Sequence, residues 1–530
     1  MTPSRRSLAL GGIATAALAA IPRPSQAAGD AFSVSGKKGP FVKQVASRNL
    51  DGGGAGGGAM GLASDTVNLG QYQAARLRMP QTEARVSALL ANIDAQWPYA
   101  KGQPLQVHIL GVDYYNAYSL PDGSIVVAFG LLDQAQSDDE VAFVLAHELG
   151  HVRLGHFKAA VAAEQKTKLA SPLGQLFVIG AAGALASGAG LQAGATNDFL
   201  HFLTNTMVEP GHTRAQEDEA DCIGYDLSQA ASYSADSASA RVFDTIQADQ
   251  QRHKALSDTL GEQLKSQLGQ AVTNGTAASF LSGGDVRGSL LQGAGRVALG
   301  VIMARGGEPP PQHRPPEERK RGMAQYSADA YPAGAPLRDE QKSWLAGVRG
   351  STEYAQGKLA VEAVRDAKKA RAAGDYPTAT AAIARASQTT FKAAPLVLNE
   401  AARLRDDMGD AAGSDRLFVQ AHASPDQTVD GYVDHGRMLY RTKQNDRAML
   451  IVQQGIQRFN NDPKPFIALE IGIARQAGRD DQAQGYLAQC MSYNDEGLSK
   501  DCQLAAGPLA KGAAPQQKRP SLPFGLPHFP

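Results

Sequence analysis

Apolar and polar positions change their period along the chain, and each block predicts an element. Leu8 to Ile21 is an uninterrupted apolar run behind Arg5 and Arg6. DGGGAGGGAMG, Asp51 to Gly61, offers no side chains for a core and reads as linker. Helical spacing covers roughly 70–96 and ends at Trp97-Pro98. Leu105–Leu110 and Ser124–Phe129 are short, β-branched apolar runs, read as strands with Pro121-Asp122-Gly123 as the turn between them. Ser137 followed by Glu140 has the form of a capping box and opens a helix through VAFVLAHELGHVRLGHF.

Residues 169–197 carry no charge and six glycines, which suits small-residue helices near the site or against a membrane surface. Helical spacing resumes over about 213–268. A Gly-rich stretch, 269–312, ends at Pro309-Pro310-Pro311. From about 340 the pattern becomes Ala-rich and amphipathic with a repeat. Turn signals at Gly374-Asp375, Gly409-Asp410, Asn445-Asp446 and Gly478-Arg479 are spaced 35, 36 and 33 residues, the period of tetratricopeptide repeats. Pro395, Pro425 and Pro463 punctuate the gaps between units, and 506–530 is Pro-rich and reads as disordered.

A length of 530 residues implies more than one domain, and 43% hydrophobic with 20% charged residues excludes wholesale disorder. Lys+Arg and Asp+Glu are 52 each, so charge gives no sign of a nucleic-acid partner. Residues 1–27, with the arginine pair, the apolar run and Ser25-Gln26-Ala27, read as a signal peptide cleaved near Ala27. Either general secretory export or the twin-arginine route fits it. Three cysteines exclude a disulfide scaffold and a thiolate zinc cluster, so any metal must be held by His and carboxylates. In an oxidising compartment Cys490 and Cys502 are close enough in sequence to pair, while Cys222 reads as a buried free thiol.

His147-Glu148-Leu149-Gly150-His151 is an HExxH on a predicted helix. Residues four apart share a helix face, so both imidazoles can bind one zinc ion. Glu148, one step round, can act as general base on a metal-bound water. A third ligand is needed. Leu154 and Phe157 stand where a metzincin needs Gly and His, and Lys168 follows Glu164 where a thermolysin-like arrangement needs Asp. Glu217 and Asp221, again four apart, can supply the third ligand and a group orienting a ligand imidazole. His156, His201 and His212 read as structural or solvated, and His108 as a strand residue.

HELGH, the Asn116-Ala117-Tyr118 stretch before a glycine turn, TRAQEDEADCIG and His313-Arg314-Pro315-Pro316-Glu317-Glu318-Arg319 are the motifs that carry a resemblance. Together they resemble the HtpX/BepA-type zinc metallopeptidases, gluzincins related to the CAAX prenyl proteases. With the leader and the repeats, the periplasmic BepA-like protease–chaperone type is the most similar. Arg314 departs from the pattern, where proline is usual. The resemblance implies zinc on His147, His151 and Glu217, with Glu148 as base. It implies Asp221 and Arg319 behind the ligands, and His313 near the metal as catalytic group or latency ligand. It implies an edge strand containing Ser124 and Val126 that pairs with extended substrate.

The fold expected is mainly α with a small β-sheet, a zincin-type α+β peptidase domain followed by an α-helical tetratricopeptide solenoid. The divisions are 1–27 leader, 28–69 linker, 70–335 peptidase domain, 340–505 repeats and 506–530 tail. The function expected is a periplasmic, one-zinc endopeptidase of protein quality control. Its substrates would be unfolded or misassembled polypeptides, with the outer-membrane β-barrel assembly machinery as partner through the repeats. The competing expectation is a chaperone or assembly adaptor with a latent zinc site.

Overall fold

The computed structural model describes residues 39–45, 75–99, 105–120, 123–156, 212–248, 251, 314–334, 339 and 341–507, less 460 and 494–495. The leader, the glycine linker, 169–197, His201, His313 and the 508–530 tail therefore lie outside the described residues. The described part is mostly helical with one three-stranded sheet.

The first helices are α1 (Phe41–Gln44) and α2 (Pro80–Asp94). The helix expected from residue 70 starts only at Pro80. Proline has no N–H to give and disfavours a helical residue before it, so it sits in the first turn. Residues 75–77 instead run beside the sheet, with Leu77 N–H donating to Ile109 O at 2.8 Å and Gly111 N–H to Ala75 O at 3.0 Å.

The strands are β1 (Gln106–Leu110), β2 (Ala117–Ser119) and β3 (Ser124–Ala128), in the order β1-β3-β2. β1 and β3 are parallel, with Gln106 opposite Ser124 and His108 opposite Val126. β2 is antiparallel to β3, with Tyr118 opposite Val126. Two sequence expectations change here. The glycine turn closes a hairpin between β2 and β3, not between the two longer strands, and Gly123 takes the left-handed conformation at φ +87°. Ser124 and Val126 also lie on the central strand, paired on both sides, so neither belongs to an edge. β3 is apolar throughout because both of its faces are covered. Ile125 and Val127 face the main core, and Val126 and Ala128 pack with Tyr114 and Tyr118. Among the described residues the outer strand on this side is β2, whose three residues carry too little pattern to be read from sequence.

After β3 come α3 (Phe129–Gln134) and α4 (Asp138–Leu154). Ser137 caps α4 by accepting from Glu140 N–H at 3.3 Å. The Glu140 carboxylate pairs with Arg241 at 3.1 Å, and Tyr115 donates to it at 3.3 Å. The helical stretch expected over 213–268 is divided. α5 (Arg214–Ala230) ends in a reversal at Ser232, φ +76°, and a helix over 235–248, α6, follows. α7 (Pro316–Ala330) returns to α5, where Asp226 accepts from Tyr326 at 2.7 Å, Tyr331 at 2.8 Å and Val42 N–H at 2.8 Å.

The C-terminal part is a series of helical hairpins. The pairs are Thr352–Ala372 with Tyr376–Ala386, Pro395–Asp407 with Ala411–His422, Val429–Arg441 with Asn445–Arg458, and Ile467–Gln476 with Asp480–Ser492. Each pair turns through one left-handed residue: Gly374, Gly409, Lys443 or Gly478. In the first two turns the following Asp375 or Asp410 caps the second helix, which explains the recurring Gly-Asp. Pro395 lies inside a helix, in its first turn, rather than between units. Cys490 and Cys502 form a disulfide that ties the last hairpin to the helix Glu496–Ala506. Closing so short a loop stabilises by about 3 kcal/mol. Cys222 is free and buried, and burial pushes its thiol well above the ordinary range, which disfavours the nucleophilic thiolate.

These hairpins are not separate from the sheet-bearing part. Asp138 accepts from Trp344 and Leu345 N–H at 2.9 and 2.8 Å, and Phe129 stacks on Tyr354 at 4.8 Å. One apolar core runs from Ile125 and Leu145 to Val361 and Leu396.

A partly buried polar chain crosses the middle hairpins. Asn399 donates to Gln427 at 2.8 Å, Gln427 contacts His422 at 3.0 Å, His422 contacts His435 at 2.9 Å, and His435 contacts Asp415 at 2.8 Å. Burial, then the nearby His435 and Arg458, push His422 down to about 3, so it is neutral in the fold. The unfolded chain binds its proton below about pH 6.5, so this contribution is full above that pH and is lost as pH falls. At pH 5 the loss is about 2 kcal/mol. Asp226 and Glu470, raised by burial to about 6 and about 7, act in the opposite sense. His422→Gln is therefore the comparison to make. Urea unfolding at pH 7.5 and pH 5 should show the acid-induced loss reduced in the variant. An equal loss in both chains would refute it.

Candidate metal centre

α4 places His147 and His151 one turn apart with their Nε2 atoms 3.1 Å from each other. The third donor comes from α5. Thr213 and Gln216 form a reciprocal capping box that starts the helix and puts Glu217 in its first turn. The Glu217 carboxylate lies 3.6 Å from His147 Nε2 and 3.4 Å from His151 Nε2. Glu217 is 2% exposed and His151 also 2%, so the group is shielded from bulk water.

The two helices approach this closely because glycines face each other's backbone. A Cβ on Gly224 would lie 3.1 Å from His147 N, and one on Gly150 would lie 3.2 Å from Ala220 Cα. The Gly in HELGH and the last Gly of TRAQEDEADCIG are thus packing residues. Gly224→Ala is expected to push α5 off α4, costing about 1–3 kcal/mol of stability. It should also weaken metal binding. Guanidine unfolding and a zinc competition titration check this, and unchanged values in both would refute it.

Asp221, one turn beyond Glu217, meets His147 Nδ1 at 2.9 Å. Arg319 on α7 holds Asp221 with two bonds, 2.9 Å from Nε and 2.7 Å from Nη2, and its guanidinium lies 4.7 Å over the Phe243 ring. Burial pushes the Asp221 carboxyl up, but Arg319 and His147 outweigh it and hold it below the usual range. Glu148 does not join the three donors. Its carboxylate accepts from Ser119 Oγ at 2.8 Å, at the end of β2.

The surroundings of His147 favour positive charge, and those of His151 keep its ring neutral. Burial opposes protonation of His147, yet Asp221 and Glu217 outweigh it and raise the group to about 10. Burial holds His151 well below its ordinary value, with Glu217 opposing and the His147, His212 and His156 charges adding to the depression. The spacing fits an ion as well. A tetrahedral zinc with bonds of about 2.0–2.1 Å sets its ligand atoms about 3.3–3.4 Å apart. The donors here are 3.1, 3.4 and 3.6 Å apart, and one ligand atom from each of the three residues lies within 4.8 Å of the others. The donor set therefore fits a single metal ion.

Three features were not anticipated from sequence. His156 and His212, read as structural or solvated, are buried against His151. His156 Nδ1 lies 3.0 Å from His151 Nδ1, and the His212 ring stacks on His151 at 4.0 Å. A signal for His156 was present. Gly155, φ +67°, closes α4 and donates to Val152 O at 3.2 Å. Such a reversal packs the next residue over the fourth-last residue of the helix, here His151. Arg314, a departure from the expected motif, makes a buried pair with Asp218, Nε to Oδ1 2.8 Å and Nη2 to Oδ2 3.0 Å.

Residues 78–277 match the family model described as peptidase family M48. Metalloprotease LoiP of Escherichia coli (strain K12) is 32% identical over 126 residues, 24% of this chain and 45% of the relative. Metalloprotease YcaL of the same organism is 29% identical over 126 residues, with the same two shares. The beta-barrel assembly-enhancing protease of Yersinia pestis is 31% identical over 134 residues, 24% of this chain and 25% of the relative. The chain thus spans less than half the length of these relatives. The HExxH histidines, Glu148 and Glu217 all fall inside the matched segment, and the chain carries a peptidase family M48 domain.

Proposed function

We propose that this chain is a zinc-dependent endopeptidase acting on unfolded or unassembled polypeptides, exported to the periplasm. The observation that carries the reading is the placing of Glu148. It stands beside the His147, His151 and Glu217 donors without being one of them, and it is held by Ser119 at the edge of the sheet. A zinc ion on the three donors would act as Lewis acid and lower the pKa of a bound water toward neutrality.

The chain's own residues supply the rest. An extended substrate adds to β2, where main-chain hydrogen bonds give affinity without demanding a sequence. β2 replaces the strand of Ser124 and Val126 in this role because it is the outer strand beside Glu148. Glu148 takes the proton of the attacking water and returns it to the leaving amine. Ser119 donates to Glu148 Oε2 and so orients the carboxylate that takes that proton. Asp221 and Arg319 keep His147 oriented.

The C-terminal hairpins, read as tetratricopeptide-like repeats, would hold the client. Outer-membrane β-barrel proteins and their assembly machinery are the clients and partner this reading favours. It rests on the likeness to a beta-barrel assembly-enhancing protease and on the edge strand, which suits unpaired β-strands. Among the described residues no helix is long and apolar enough to cross a membrane.

The test is incubation of the zinc-loaded chain with one outer-membrane β-barrel protein in two forms, unfolded in urea-diluted buffer and folded in detergent micelles. Fragments from the unfolded form, absent with a chelator and restored by zinc, are expected. Suppressed aggregation without fragments would replace the peptidase by a chaperone.

A further inference from the structure

Beyond the three donors, His151, His156 and His212 form another group of imidazoles whose nitrogens lie within 4.8 Å of one another. The hydrogen-bond geometry explains this cluster without a second ion. His151 turns Nε2 toward Glu217 and His147, so its proton belongs on Nδ1. That Nδ1 is 3.0 Å from His156 Nδ1, which must then accept and carry its own proton on Nε2. His156 Nε2 faces Glu219 at 3.4 Å. The ring protons of His151 and His156 therefore have one consistent arrangement. His212 lies nearly flat on His151, with 22° between the planes, so the in-plane lone pairs of these two rings run side by side rather than toward each other. An ion there would also have to displace the His151 Nδ1 proton across the same ring that serves the first ion.

We propose that His156, backed by Glu219, is a positioning residue that fixes the tautomer and ring orientation of His151 for the metal. The proposal rests on the reading of His147, His151 and Glu217 as a metal site. It makes the two ligand imidazoles alike in principle and different in construction. Asp221 supports His147 directly, at 2.9 Å. Glu219, on the same helix, supports His151 through one more imidazole. α5 thus supplies a ligand, Glu217, and the carboxylate behind each histidine. Fixing a ligand imidazole this way raises its basicity and removes the cost of reorienting it, and loss of such a partner weakens binding about ten- to hundredfold.

The experiment measures zinc affinity of the full chain by competition with a chromophoric chelator, together with the melting temperature of the metal-free protein. His156→Phe keeps the ring volume but has no acceptor. His156→Asn puts an amide oxygen where Nδ1 stands. Glu219→Leu removes the carboxylate without touching the cluster's core. His156→Phe should lose about ten- to hundredfold in affinity with the metal-free melting temperature unchanged. His156→Asn should stay within the same order as wild type, and Glu219→Leu should fall between them.

Zinc held equally by wild type and His156→Phe would overturn the positioning role. If His156→Phe does not fold, wild-type affinity in Glu219→Leu would overturn it instead. Equal losses in His156→Phe and His156→Asn would make the residue a packing element only. Two zinc equivalents in wild type and one in His156→Asn would make the cluster a second metal site. A wild-type chain that takes up no zinc would overturn the metal centre itself.

Discussion

Glu148→Gln is expected to keep its zinc and lose peptide-bond hydrolysis by about a thousandfold, within the range general-base catalysis contributes. The amide has the size of the carboxylate and can still accept from Ser119, so the local structure has no cause to change. It cannot take a proton from water. The three donors are untouched, so the zinc content should stay at one per chain. The measurement is kcat/KM on an internally quenched peptide beside metal analysis of the same preparation. Activity above a tenth of wild type in the variant would remove Glu148 from the mechanism. Loss of zinc would make it part of the binding site instead.

Arg319→Met should have the largest effect on stability. Asp221 is fully buried, and Arg319 gives it two hydrogen bonds. Truncating one partner of a buried pair costs about 3–5 kcal/mol, and His147 is then the contact left to offset the burial of Asp221. The same change should weaken zinc about ten- to hundredfold, because Asp221 then protonates more readily and holds His147 less firmly. Adding Asp221→Asn removes the orphaned charge. The double variant should therefore recover most of the denaturation midpoint while its zinc affinity stays low. Recovery of both would show that the pair serves the fold alone. A single variant as stable as wild type would show that water reaches Asp221.

Contacts within a turn or two were legible from the chain alone. His147 and His151 share a face because four residues advance a helix by just over one turn, and the same spacing places Asp221 beyond Glu217. Ser137 as cap and the Gly-Asp turns are equally local, since one residue's conformation decides each. The third hairpin departs from this pattern. Its left-handed residue is Lys443, two positions before the Asn445 expected from composition, because no glycine marked it.

The sequence by itself determined the HExxH helix, the Glu217 helix and the hairpin period, because each depends on the backbone's own repeat. Only the tertiary structure decided which strand lies outermost beside Glu148, since β2 pairs β3 through three residues and β1 reaches β3 in parallel from elsewhere in the chain. It decided that Arg314 meets Asp218 across 96 residues and that Gly155 folds His156 onto His151. It also joined the sheet to the hairpins in one core. Such partners are chosen by the shape and charge left over once helices pack, and no local period encodes that remainder.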